Sequence, residues 1–168
     1  MNELEVVNIR LVREPSLYSE RELNSPKAVV ELMRDELSQY DKEVACILNL
    51  KMNNQVINMN IVSVGTINAA LVSAREVFKS GVMANAAAII MLHNHPSGNC
   101  KPSRADKLLT EHLYQAGQLM DIPLLDHIII GGTNGKMFSF REEGILEDPF
   151  KEKFKENETE KREKELER

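Results

Sequence analysis

The chain has 168 residues, 42% of them hydrophobic and 28% charged, with a formal net charge of −5. That length suits one domain, the composition excludes a fibrous or disordered chain, and the acidic balance disfavours a broad nucleic-acid-binding face. The longest clean apolar run, Ala86 to Leu92, falls far short of the roughly 18 residues that cross a bilayer, and the start, MNELEVVNIR, is polar rather than signal-like. Cys46 and Cys100 are the two cysteines, and they form neither a CxxC pair nor a disulfide framework. A cytoplasmic protein with no membrane segment is expected.

In chain order, residues 4–13 (LEVVNIRLVR) predict an edge strand, a surface through which a homodimer could pair. Tyr18 to Asn24 is polar and reads as a loop. Ser25-Pro26 is an N-cap followed by a proline at the first helical position, and Val29, Val30, Leu32, Met33 and Leu37 recur at helical spacing to about Gln39. Glu43 to Leu50 reads as a buried strand, Asn53-Asn54 as a turn, and Gln55 to Val64 as the hairpin partner. Ala69 to Ser80 is helical, with Gly81 as its expected end, or Ala84 if the helix runs on.

Ala86 to Leu92 is apolar on both faces, as a central strand covered on both sides would be. Ser103 to Met120 is the best-defined helix, with Ala105, Leu108, Leu109, Leu113, Ala116 and Leu119 on one stripe. Leu124 to Ile130 predicts another buried strand, Gly131 to Gly135 a tight turn, and Lys136 to Phe140 a returning strand. Residues 147–168 are nearly all charge of mixed sign, a solvated helical or disordered tail. Strands and helices interleave around at least one hairpin, which predicts an α/β fold: a mixed sheet with helices on both faces, in a domain spanning residues 1–146.

One segment carries chemistry: HNHPSGNCKPSRAD, residues 93–106. His93 and His95 are two apart at a strand end, so their side chains share a face and can converge. Pro96 stops the strand ladder. The loop can then return Ser103 and Asp106 in the first turn of the long helix. Two imidazole nitrogens and one carboxylate oxygen suit Zn²⁺, and three protein ligands leave a fourth position for water, as in catalytic zinc sites. Such a site needs a base, for which Glu43 leads and Glu76 and Asp126 are alternatives. It also needs a donor for a developing oxyanion, which the Ser103 hydroxyl can supply.

The spacing His-x-His, seven residues, Ser, two residues, Asp is the JAMM metalloenzyme pattern, and it is present here without a gap. The fuller string, with LLDHIIIG downstream, resembles the RadC family within that superfamily, over roughly residues 4–146. The resemblance implies a JAB/MPN, cytidine-deaminase-like metalloprotease fold, with Zn²⁺ on His93, His95 and Asp106. It implies Glu43 as the acid/base and Ser103 as the oxyanion stabiliser. The implied reaction is hydrolysis of an amide or isopeptide bond in a peptide or protein conjugate. The family also carries a DNA-repair label. The helix-hairpin-helix region of full-length RadC proteins has no counterpart among the few residues before the domain, so nucleic acid is not an expected partner.

Plainer readings stand beside these. Ser103-x-x-Asp106 also fits a capping box. Cys100 reads as an ordinary loop residue rather than a soft ligand, and Asn94 and Ser97 as residues that shape the loop. Asp126 is a candidate to orient a metal histidine, whereas His127 reads as a buried, satisfied core residue. A non-catalytic docking module for a DNA-processing complex is the alternative to the enzyme. A metal-dependent nuclease would need a second metal cluster and a basic groove, and the sequence shows neither.

Overall fold

A computed structural model describes residues 21–65, 72–132 and 134–147. The elements run α1 (Pro26–Leu37), β1 (Val44–Leu50), β2 (Val56–Val64), α2 (Ala74–Ala84), β3 (Ala88–Asn94), α3 (Arg104–Leu119), β4 (Leu124–Gly131) and β5 (Lys136–Ser139). The expected strand over 4–13 and the tail beyond Glu147 lie outside the described residues.

The five strands form one mixed sheet in the order β2-β1-β3-β4-β5. β1 pairs antiparallel with β2 and β3, β3 parallel with β4, and β4 antiparallel with β5. The parallel pair needs a crossover, and α3 supplies it.

Each sheet face carries its own core. Val29, Val30, Met33 and Leu37 of α1 pack with Cys46, Leu48, Ile90, Leu92, Ile128 and Ile130. Val77 and Phe78 of α2 and Leu109 and Leu113 of α3 pack with Ile47, Ile89, Met91 and Ile129 on the other face. The α/β prediction with helices on both faces therefore holds, and the unbroken burial of β1, β3 and β4 is the result. Each fully buried Ile or Leu contributes about 1.5–3 kcal/mol over its exposed state, so β3 is anchored from both sides.

The start of α2 differs from expectation. Val72 and Ser73 precede the helix, which then runs through Gly81 to Ala84, the longer of the two expected ends. Gly81 is there for packing: a Cβ on it would stand 3.2 Å from the buried Asn49 Oδ1. The helix ends instead at Asn85, whose left-handed backbone (φ 51, ψ 46) closes it, the conformation that Gly and Asn tolerate best. At the start of α1, Ser25 Oγ accepts the Ala28 N–H at 3.2 Å as the sequence predicts, and the helix stops at Leu37.

Candidate metal centre

β3 is the middle strand and is fixed on both sides. His93 pairs with Ala45 of β1 and with Ile129 of β4. The strand extends two residues beyond the predicted Leu92, so His93 belongs to the ladder itself. Alternation turns its side chain, with Met91 and Ile89, to the face covered by α2 and α3. The His95 N–H donates to the Ile130 carbonyl at 2.8 Å, which holds the next ligand candidate against β4.

The loop after Pro96 is held by the far end of β4. The Gly98 N–H donates to the His95 carbonyl at 2.9 Å, and Asn134 Nδ2 donates to the Gly98 carbonyl at 2.9 Å. Cys100 Sγ sits so close to Gly131 that a Cβ there would come within 2.6 Å of it. Cys100 is buried, burial raises its thiol pKa against the opposing charge of Lys136, and it stands outside the ligand group.

The loop ends in a capping box at the start of α3. Ser103 Oγ accepts the Asp106 N–H at 3.0 Å, and Asp106 Oδ2 accepts the Ser103 N–H at 2.7 Å. The box fixes the carboxylate, turning Oδ1 to within 3.4 Å of His93 Nε2. Asp106 Oδ2 is 3.8 Å from His95 Nε2, and the two Nε2 atoms are 2.9 Å apart. One ligand atom from each of His93, His95 and Asp106 therefore lies within 4.8 Å of the others, the one such group of three among the described residues. Around a tetrahedral zinc with bonds of about 2.0–2.1 Å, ligand atoms stand roughly 3.3–3.4 Å apart, so the donor set fits that ion.

His95 shows the same fit by its protons. Its Nδ1 is 2.6 Å from the Asn99 carbonyl oxygen. A carbonyl can only accept, so Nδ1 carries the hydrogen and the Nε2 lone pair faces the cluster. His93 is fully buried, and the His95 side chain retains 14% of its exposure, so the centre opens on the His95 side.

The expected acid/base and its rivals separate in space. Glu43 is half-buried one residue before β1, and its carbonyl accepts the Gly65 N–H at 2.7 Å. The β1–β3 register, continued two residues past Ala45↔His93, brings position 43 level with His95. Asn94, between the two candidate ligand histidines but on the opposite face, clamps that stretch: its Oδ1 accepts the Val44 N–H at 2.6 Å and its Nδ2 donates to the Lys42 carbonyl at 3.0 Å. Asn94 thus grips the backbone on either side of Glu43 rather than shaping the loop. Glu76 pairs with Lys79 at 2.8 Å on an exposed part of α2.

Asp126 points away from the histidines. It pairs with Ile90, on the α1 side of the sheet, and accepts from Ser139 Oγ at 2.6 Å and from the His127 and Arg141 N–H groups at 2.7 and 3.0 Å. Its neighbour His127 is the residue that reaches the centre: His127 Nε2 is 2.8 Å from His93 Nδ1, and His127 Nδ1 is 2.6 Å from Thr110 Oγ1. The orienting role considered for Asp126 therefore does not fit its position. His127 is buried and satisfied as expected, but its partner is a candidate ligand. Thr110 carries no motif signal in the sequence beyond its place four residues after Asp106, one helical turn further along α3.

Burial lowers the pKa of His93 to about 4, against the opposing pull of the Asp106 carboxylate and with the help of His95. Burial also takes His127 well below its ordinary value, with His93 and His95 adding to the effect. Neutral imidazole is the form that binds metals. Both rings hold fewer protons folded than unfolded as the pH falls from about 6.5, so their stabilisation is complete above that pH and is lost as the pH falls, for His93 through about 4. Asp126 acts in the opposite sense. Burial, offset by the Ser139 hydroxyl and two N–H groups, raises it from 3.8 to about 6, so its contribution is lost as the pH rises through 6. Two rings outweigh one carboxyl, and the urea midpoint of the metal-free protein is expected to fall from pH 7 to pH 5. A rise would contradict this assignment of protons.

A mixed sheet that presents His-x-His from its central strand to an Asp on the next helix, in a group that could hold a metal ion, is the arrangement of a JAB-class domain. The sequence matches the RadC-like JAB domain family over residues 23–145, and the chain belongs to that family. It is 48% identical over 126 residues to a UPF0758 protein of Pelodictyon phaeoclathratiforme, covering 75% of this chain and 56% of that protein. Similar matches are a UPF0758 protein of Methanosarcina mazei (44% identical, 75% and 54% covered) and one of Pseudoalteromonas translucida (47%, 73% and 54%). The chain spans about half the length of these relatives. Among the described residues, no helix is long and apolar enough to cross a membrane.

Proposed function

We propose that this chain is a zinc-dependent hydrolase that cleaves an amide or isopeptide bond in a peptide or protein conjugate. The observation that carries the reading is the convergence of His93, His95 and Asp106 at 2.9–3.8 Å, with the His95 Nε2 lone pair turned inward. Bound there, Zn²⁺ would act as a Lewis acid and lower the pKa of water from about 15.7 to roughly 7.

The chain's own residues account for the remaining steps. Glu43 is the acid/base: it takes the proton from the attacking water and returns it to the leaving amine. Its support is the register that sets position 43 level with His95 and the Asn94 clamp on both sides of it. Ser103 holds the developing oxyanion. Its Oγ uses a lone pair to accept the Asp106 N–H, which leaves its own hydrogen free to donate, and the residue is exposed. The capping box and the oxyanion role are therefore compatible in one side chain.

The test is hydrolysis of a panel of fluorogenic peptide and isopeptide substrates by the zinc-loaded protein, with and without a chelator. Cleavage that the chelator abolishes and added zinc restores is the expected result. Chelator-insensitive cleavage, or none across the panel by fully zinc-loaded protein, would count against the reading.

A further inference from the structure

The hydrogen bonds around His127 have a direction, and the starting point is a group that has no proton to give. Thr110 Oγ1 donates to the Asp106 carbonyl oxygen at 2.7 Å. A hydroxyl has one hydrogen, so towards His127 Nδ1, 2.6 Å away, the same oxygen must accept. His127 Nδ1 therefore carries a hydrogen. In the neutral ring Nε2 is then bare, and it accepts from His93 Nδ1 at 2.8 Å. With its hydrogen on Nδ1, His93 turns the Nε2 lone pair towards Asp106 Oδ1 and His95 Nε2.

We propose that Thr110 and His127 are positioning residues for the metal centre. Their one-way hydrogen-bond chain, from His93 Nδ1 to the Asp106 carbonyl, fixes His93 in the Nδ1–H tautomer and presents Nε2 for coordination. The inference rests on the proposed metal site and adds two residues that touch neither metal nor substrate. Three features make the chain rigid. Thr110 and His127 are buried, at 2% and 0% exposure. The His127 ring stacks on Phe140 at 4.8 Å between centroids and 5° between planes. The chain also starts and ends on ligand residues, because Asp106 supplies both the carbonyl at one end and a carboxylate beside His93 at the other. The Asn99 carbonyl does for His95 what this chain does for His93. Both ligand histidines are thus set by main-chain carbonyls, one directly and one through two side chains. Groups that hold a ligand imidazole in this way typically contribute 10–100-fold to metal affinity.

The experiment has two arms on the full chain. In the first, histidine ring ¹⁵N–¹H correlation spectra of zinc-free and zinc-loaded wild type read the His127 tautomer. The expected pattern is hydrogen on Nδ1 in both states, and hydrogen on Nε2 in both would overturn the proposal. In the second, zinc affinity is measured by competition with a chromophoric chelator. Thr110→Val is expected to weaken zinc about tenfold, Thr110→Ser to restore it to within about twofold, and His127→Phe, which keeps the stack, to weaken it ten- to a hundredfold. Wild-type affinity in folded Thr110→Val would overturn the proposal. A wild type that takes up no zinc would defeat the metal reading itself, and the zinc-free spectrum would still decide the tautomer.

Discussion

Glu43→Gln is expected to keep about one zinc per chain and to lose about 10²–10⁴-fold in turnover. Glutamine has the shape of glutamate but cannot take a proton from water at neutral pH, so the variant separates proton transfer from folding and metal binding. The comparison is chelator-sensitive cleavage of the same fluorogenic substrate by wild type and variant, with zinc content measured on both. Turnover retained within about threefold would reject Glu43 as the acid/base. Neither rival stands ready to inherit the role: the Asp126 carboxylate is committed to Ser139 and two N–H groups on the far side of the sheet, and Glu76 is paired with Lys79 on α2.

The second large effect is expected at Gly131, where β4 meets the loop between His95 and Asp106. A Cβ at this position would lie 2.6 Å from Cys100 Sγ, 2.8 Å from Asn134 Oδ1 and 2.8 Å from the Gly98 carbonyl. The first two can swing away; the third is backbone of the loop between His95 and Asp106, so the loop itself must move. Gly131→Ala is therefore expected to cost about 1–3 kcal/mol of stability and, by displacing the loop, to weaken zinc at least tenfold. Gly117→Ala is the control. Its Cβ would meet the Ile122 carbonyl at 2.7 Å, also backbone, but near the opposite end of α3 from Asp106. It should destabilise the protein to a similar degree without weakening zinc in the fraction that folds. Urea denaturation and chelator competition on both variants distinguish the cases, and equal zinc affinity in the two would contradict the role given to Gly131.

The convergence of the three candidate ligands was legible in the sequence because each of its parts is local. His93 and His95 share a face through strand alternation, and Ser103 and Asp106 share a helical first turn. The strand–loop–helix between them is short enough for the spacing to fix the meeting. Burial on both faces likewise marked β1, β3 and β4 as internal strands. The groups surrounding the ligands were less legible because they depend on pairing between distant segments. Alternation alone puts Asp126 and His127 on opposite faces, but only the parallel register of β4 on β3, with its irregularity at Ile89/Ile90, decides which of them meets His93. Asn94 lies within the motif, yet its partners Lys42 and Val44 are some fifty residues away and become visible only once β1 is laid beside β3. Gly81 and Asn85 compete for the same role at the end of α2. At Gly81 an added Cβ would crowd the Asn49 side chain, and that close approach too belongs to the tertiary fold.

Whether His93, His95 and Asp106 hold a metal ion is decided by elemental analysis of wild type and His95→Ala, purified side by side without a histidine tag. About one zinc per wild-type chain and little in the variant are expected, with the variant still folded because His95 lies beyond the end of β3 on the open side of the centre. A folded wild type that carries no zinc, even after zinc is offered, would contradict the metal site.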